Sequence, residues 1–128
     1  MKITIAKDAG YCFGVRDAVN IAYDSAEKHG DVYMLGSIVH NEKVVNDLKN
    51  AGTKIVRSLD DVPKESPILF RAHGTVPKLW DEAKEKKMNI IDATCPLVYE
   101  IHQEVKKLAK DGRRIIVVGD HGHDEVIA

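Results

Sequence analysis

The chain of 128 residues has only two cysteines, Cys12 and Cys95, far apart in sequence. That excludes the dense disulfide framework of a small secreted domain. It fits a reducing compartment, where thiols stay free for packing or chemistry. An excess of positive charge is also missing, with 19 Lys and Arg against 20 Asp and Glu, so no basic surface marks a nucleic-acid binder. No apolar run approaches the roughly 20 residues of a membrane span. The opening KITIA is too short and too soon broken to be a signal peptide. Low-complexity tracts and long linkers are absent as well. What remains is one domain's worth of chain, expected to be cytoplasmic and to engage neither membrane nor nucleic acid.

What is present is a repeating alternation of strand-like and helix-like segments. KITIA (2–6), VYMLGSIV (32–39), KIV (54–56), ILFRA (68–72), MNIIDA (88–93) and RRIIVVGD (113–120) read as strands. Between them, Val15, Ala18, Val19, Ala22 and Ala26 recur at helical spacing, and Gly30 suits the position past a helix end. Asn41 is a natural N-cap for NEKVVNDLKNAG, with Gly52 as its stop. Pro77 suits the first turn of VPKLWDEAKEKK. In PLVYEIHQEVKKLAKDG, Leu97, Ile101, Val105 and Leu108 share one face. This alternation predicts an α/β fold, a parallel sheet covered by helices.

In such sheets ligands gather beyond the carboxyl ends of the strands. The reactive residues of this chain cluster at those positions. Cys12 follows the first predicted strand, His40 the second, His73 the fourth, Cys95 the fifth, and His121 and His123 the sixth. His29 and His102 fall on helices and read as surface residues.

A cysteine at a helix N-terminus meets unpaired backbone N–H groups and the positive end of the helix dipole, which favour the thiolate. Thiolate ligates iron or zinc and attacks electrophiles. A lone cysteine there is as often a small buried apolar residue, but Cys12 and Cys95 share the placement. Gly14 would let backbone approach a bulky group closely. A single histidine beside glycine is usually satisfied by nearby carbonyls. Three of them, His40, His73 and His123, at parallel strand exits suggest a shared pocket for an anionic, phosphorylated small molecule. Glu125, two residues beyond His123, suits a proton donor or relay if that loop faces the pocket, and an ordinary surface glutamate otherwise.

The strings YCFGV, VHN, AHG, DATCPLV and GHDEV, in this order, resemble the IspH/LytB family of 4-hydroxy-3-methylbut-2-enyl diphosphate reductases across essentially the whole chain. The resemblance implies reductive dehydroxylation of that allylic diphosphate to isopentenyl and dimethylallyl diphosphates in the non-mevalonate isoprenoid pathway. It implies a 4Fe–4S cluster held by three cysteines, with ferredoxin or flavodoxin as electron donor. By motif, Cys12 and Cys95 match two cluster ligands. His40, His73 and His123 match substrate-binding histidines, and Glu125 matches the catalytic acid. It further implies a three-lobed α/β fold, with residues 1–95 as the first lobe and 96–128 as an incomplete start of the second. The first strand would then associate with a later lobe.

The third cluster cysteine has no counterpart, because the chain holds only two. The expectation is therefore a truncated portion of the enzyme, marginally stable or prone to associate, and inactive alone. Two other readings stay open: a non-redox diphosphate- or nucleotide-binding α/β module, and a zinc site of Cys12, Cys95 and a histidine. The zinc reading lacks the short paired-ligand spacings of structural zinc sites.

Overall fold

The computed structural model describes residues 1–7 and 9–128. Its centre is a four-stranded parallel sheet of order β2-β1-β3-β4, formed by β1 (Val32–Leu35), β2 (Thr53–Val56), β3 (Pro67–Phe70) and β4 (Asn89–Asp92). Helix α1 (Phe13–His29) precedes it. Helices α2 (Glu42–Asn50) and α3 (Pro77–Glu85) cross between strands, and α4 (Pro96–Lys110) and the short α5 (Asp124–Ile127) follow.

The period-two alternation of strand side chains divides the core. Val32, Met34 and Leu69 pack with Ala18, Val19 and Ala22 of α1 and Val44 and Leu48 of α2. Ile68 and Phe70 face the other way, onto Ala83, Leu79 and Trp80 of α3 and onto Leu59 and Val62 of a 3₁₀ turn. β3 is therefore buried on both faces, as the apolar run at 68–70 requires. Chain order explains the two layers. The connection β1–α2–β2 steps one way along the sheet and β3–α3–β4 steps the other. Right-handed crossovers place such helices on opposite faces.

Local signals operate as expected at α2, where the Asn41 side chain accepts a hydrogen bond from Val44 N at 3.1 Å. Pro77 opens α3, and Gly30 follows α1 with φ 74°. Other expectations are corrected. Residues 2–6 form no strand, and Ile3 and Ile5 are exposed. Residues 113–120 form none either, with Ile116 and Val118 open to solvent. A strand needs a neighbour for its backbone groups, and neither segment has one among the described residues. Cys12 and the pair His121 and His123 thus do not stand at strand exits. The second predicted strand stops at Leu35, because Gly36 turns the chain at φ 81°. His102 is half-buried, its ring against Gly74, rather than a surface residue. The apolar stripe of α4 exists, but the helix buries no residue.

Candidate functional site

The strand order reverses between β1 and β3. That reversal opens a crevice at the carboxyl rim of the sheet, the usual ligand position in open α/β folds. Backbone pairing continues past the strands and aligns the residues that leave them. Ala72 N donates to Ile38 O at 3.4 Å, tying the exit of β3 to the chain leaving β1. Cys95 N donates to Ala72 O at 3.0 Å, tying the exit of β4 to the same point. His40, His73 and Cys95 are thereby carried to one rim by three adjacent exits. The rings of His40 and His73 stack with centroids 4.2 Å apart, and His123 lies 5.7 Å from His40.

His123 reaches the group from the tail. It stands just before α5, whose Glu125 carboxylate joins two rings at once. His73 Nδ1 pairs with Oε1, and His123 Nδ1 pairs with Oε2 at 2.6 Å. Burial tends to raise the Glu125 pKa. Its own backbone N–H and the charges of His73 and His123 outweigh that effect and hold the carboxyl below its ordinary value. With Glu125 ionised, Nδ1 of His73 carries the proton. His73 Nε2 is buried and has no partner among the described residues. His40, His73 and Glu125 offer ligand atoms within 4.8 Å of one another, a spacing that also suits a metal ion. An ion there would have to compete with the rings that already share the carboxylate.

The cysteines stand at two helix starts that pack together. Cys12 and Cys95 are the N-cap residues of α1 and α4, and neither side chain caps its helix. Cys12 is exposed and Cys95 half-buried. Gly14, in the first turn of α1, lies so close that a Cβ built on it would overlap Cys95 Sγ. Only glycine allows this approach, and it brings the start of α1, with Cys12, onto the start of α4. Asp92 fixes the loop that carries Cys95. Its Oδ1 accepts from Thr94 N at 3.0 Å and from Thr94 Oγ1 at 2.6 Å, and its Oδ2 accepts from Tyr99 OH. Desolvation, with the hydrogen bond to Asp92, pushes the Tyr99 phenol up to about 12.

Two clefts flank the histidines. One of about 450 Å³ is lined by His40, Asn41, Glu42 and Lys49. The other, of about 430 Å³, lies beyond β1, β2 and β3 and is lined by Ser37, Arg57, Arg71, Thr75, Leu79 and Asp124. Neither lining includes a cysteine. His121 adds nothing to the cluster: among the described residues the ring contacts and ion pairs there involve His40, His73 and His123. Residues that sequence reasoning missed are Arg71, Asp124, Asp92 and Thr94. Each left a local sign: a charge ending the buried run ILF, an acid beside Glu125, and a D-x-T string of turn-forming type before Cys95.

The fold and the rim together define a doubly wound α/β lobe with a cluster of imidazoles and a cysteine at its crossover. The chain belongs to the LytB family: the family model described as "LytB protein" matches residues 3–128. It is 42% identical over 128 residues to the 4-hydroxy-3-methylbut-2-enyl diphosphate reductase of Clostridioides difficile (99% of this chain, 46% of that protein). To the protein of the same name from Geobacter metallireducens it is 40% identical, covering 98% of this chain and 44% of the relative. Among solved structures, the E-1-hydroxy-2-methyl-but-2-enyl-4-diphosphate reductase of Plasmodium falciparum superposes with TM-score 0.87 at 36% identity (94% of this chain, 38% of that one). A second solved structure, titled (E)-4-hydroxy-3-methyl-but-2-enyl diphosphate reductase, the terminal enzyme of the non-mevalonate pathway, gives 0.83 at 38% (98% and 44%). The chain thus spans less than half the length of these curated relatives. No helix among the described residues is long and apolar enough to cross a membrane.

Proposed function

We propose that this chain contributes a diphosphate pocket and two cluster thiols to a 4-hydroxy-3-methylbut-2-enyl diphosphate reductase. The observation that carries the reading is the convergence of His40, His73, His123 and Glu125 at the crossover of the sheet, with His73 one residue past the Ala72–Cys95 backbone pairing. Cys12 and Cys95 would hold two corners of an iron–sulfur cluster. The approach at Gly14 and the two helix N-termini suit a group that needs thiolates on one side. When bound, such a cluster supplies electrons and a Lewis-acidic iron for the allylic oxygen. With two cysteines in the chain, the third ligand of the family has no counterpart among its residues.

The chain's own residues then bind, orient and move protons. His40 donates to diphosphate oxygens. Nδ1 of His73 is taken up by Glu125, so His73 reaches a diphosphate oxygen through its unpartnered Nε2, as a donor in the imidazolium form. His123 completes that wall. Glu125 stands ionised, so it protonates the substrate only after taking a proton. Nδ1 of His73 and Nδ1 of His123 are the groups placed to hand it one. We assign residues 1–95 to the first lobe and 96–128 to an incomplete second one, since every sheet strand lies before Cys95. A cytoplasmic location and a ferredoxin or flavodoxin donor belong to the same reading.

Pyrophosphate titration of the chain by calorimetry tests the pocket, with His40→Ala and His73→Ala each expected to weaken binding on the order of tenfold or more. A chimera that adds the remaining sequence of the Clostridioides difficile relative tests the thiols. Anaerobic reconstitution with iron and sulfide should give a brown protein, colourless in Cys95→Ser. Pyrophosphate binding that ignores both histidines would refute the pocket. Binding that survives Cys12→Ser/Cys95→Ser in a chimera that never takes up iron would favour the non-redox module.

A further inference from the structure

The Glu125 carboxylate is shared by two rings, yet the segment that carries it has little of its own to hold it in place. Helix α5 has four residues and buries none of them. The preceding residues 113–120 are exposed. A one-turn helix is not stable by itself, so the orientation of Glu125 must be imposed from the lobe.

The polar links from the tail to the lobe, among the described residues, are three. His73 meets Glu125, His40 Nε2 lies 3.9 Å from Asp124 Oδ2, and Arg71 Nη2 lies 2.7 Å from Asp124 Oδ1. Arg71–Asp124 combines hydrogen-bonding distance with full, opposite charge, and its two side chains are 29% and 25% exposed. That is well removed from a fully solvated surface pair, for which little would be expected. The arginine lies close against the chain that leaves β1. Its guanidinium passes over Gly36, where a Cβ would come within 2.9 Å of Nη1, and Gly36 also has φ 81°. Any other residue there would be strained and would push the guanidinium aside.

We propose that Arg71 and Asp124 are positioning residues that seat the Glu125 carboxylate between His73 and His123. The geometry is a two-rung ladder. Arg71 and His73 leave β3 two residues apart, and they meet the consecutive residues Asp124 and Glu125. One rung would let the tail pivot; two set its rotation. Charge sorting results from the same arrangement. Asp124 occupies the one guanidinium paired with the tail among the described residues, so Glu125 is left to the imidazoles. Without Asp124, the more strongly donating Arg71 would compete for Glu125. Without Arg71, Asp124 would repel Glu125 and lie free to take His40. The seating stands on this geometry; its bearing on proton transfer rests on the function proposed above.

The test is NMR on the 128-residue chain, reading nuclear Overhauser contacts between the His73 ring and the Glu125 side chain. The Phe70–Trp80 rings, edge to face at 4.8 Å, report the fold of the lobe in the same spectra. Arg71→Gln and Asp124→Asn should each weaken the His73–Glu125 contact on the order of tenfold while Phe70–Trp80 persists. Arg71→Lys, which keeps the charge, should retain most of it. Should Arg71→Gln lose the lobe contact, the isosteric Asp124→Asn decides. A His73–Glu125 contact that survives Asp124→Asn, or one that Arg71→Lys abolishes, would overturn the proposal. Turnover plays no part in this readout. A chain that shows the ladder but does not bind pyrophosphate would keep the clamp and lose only the proposed function.

Discussion

Two short apolar stretches of this chain are chemically alike and structurally opposite. Ile68, Leu69 and Phe70 of β3 are fully buried. Ile116 and Val118, in the stretch 115–118, are 80% and 93% exposed. β3 has β1 on one side, β4 on the other, and a helical layer over each face. The stretch 115–118 has no strand beside it among the described residues. The same contrast holds for helices. α1 buries Ala18, Val19, Ala22 and Ala26, while the stripe on α4 leaves Leu97, Ile101 and Val105 exposed. An apolar run states that a segment requires a partner; it does not provide one. Hydrophobic burial is a property of the pair, and it favours order only where both surfaces are present.

The contrast can be broken first at its strongest point. Phe70→Ala removes a fully buried ring that packs edge to face on Trp80. It should cost about 3–5 kcal/mol, measured as a lower urea midpoint followed by tryptophan fluorescence. In a domain of ordinary stability that is a large share of the total. A loss below about 1 kcal/mol would mean that the lobe is not packed as a core. The two regions would then differ less than their exposure implies.

That pairing between regions also sets how much was legible beforehand. The parallel α/β class, the Asn41 cap, the Pro77 start and four of the strands could be read locally, because each rests on spacing within a few residues. The rim could be read as well, since residues after parallel strands share one end of the sheet. His40, His73 and Cys95 were placed by that rule alone. His123 and Cys12 reached the rim by other routes, a tail contact and a helix start, although a strand exit was expected for both. Residues 2–6 and 113–120 carry a strand pattern but form no strand, because alternation and apolar runs report demand for a neighbour. Arg71 and Asp124 touch in space but stand apart in sequence, with the whole of α3, β4 and α4 between them. No local period announces such a pair.

A smaller effect sharpens the comparison within the ordered lobe. Asn41→Ala removes the side-chain acceptor for Val44 N at the start of α2. The expected loss is about 1 kcal/mol, read from the same urea curves. Because His40 immediately precedes the cap, the variant should also broaden the His40 ring signals, while Asn41→Asp, which keeps the acceptor, should leave both stability and signals nearly unchanged.

The smallest effect lies in the other region. Ile101→Ser and Val118→Ser replace side chains that are 61% and 93% exposed. Neither removes a packed neighbour, so each should change stability by no more than about 0.5 kcal/mol. Their consequence should appear in association instead. Exposed apolar side chains on α4 and at 115–118 draw copies together non-specifically, so the double variant should remain monomeric to higher concentration in sedimentation velocity. If either substitution destabilised the chain as a core substitution does, α4 or the 115–118 stretch would be packed in solution against something that its exposure here does not reveal. The difference between β3 and the stretch 115–118 would then be one of degree. If stability holds and association falls, apolar sequence in this chain stabilises only where β1, β3 and β4 have already met.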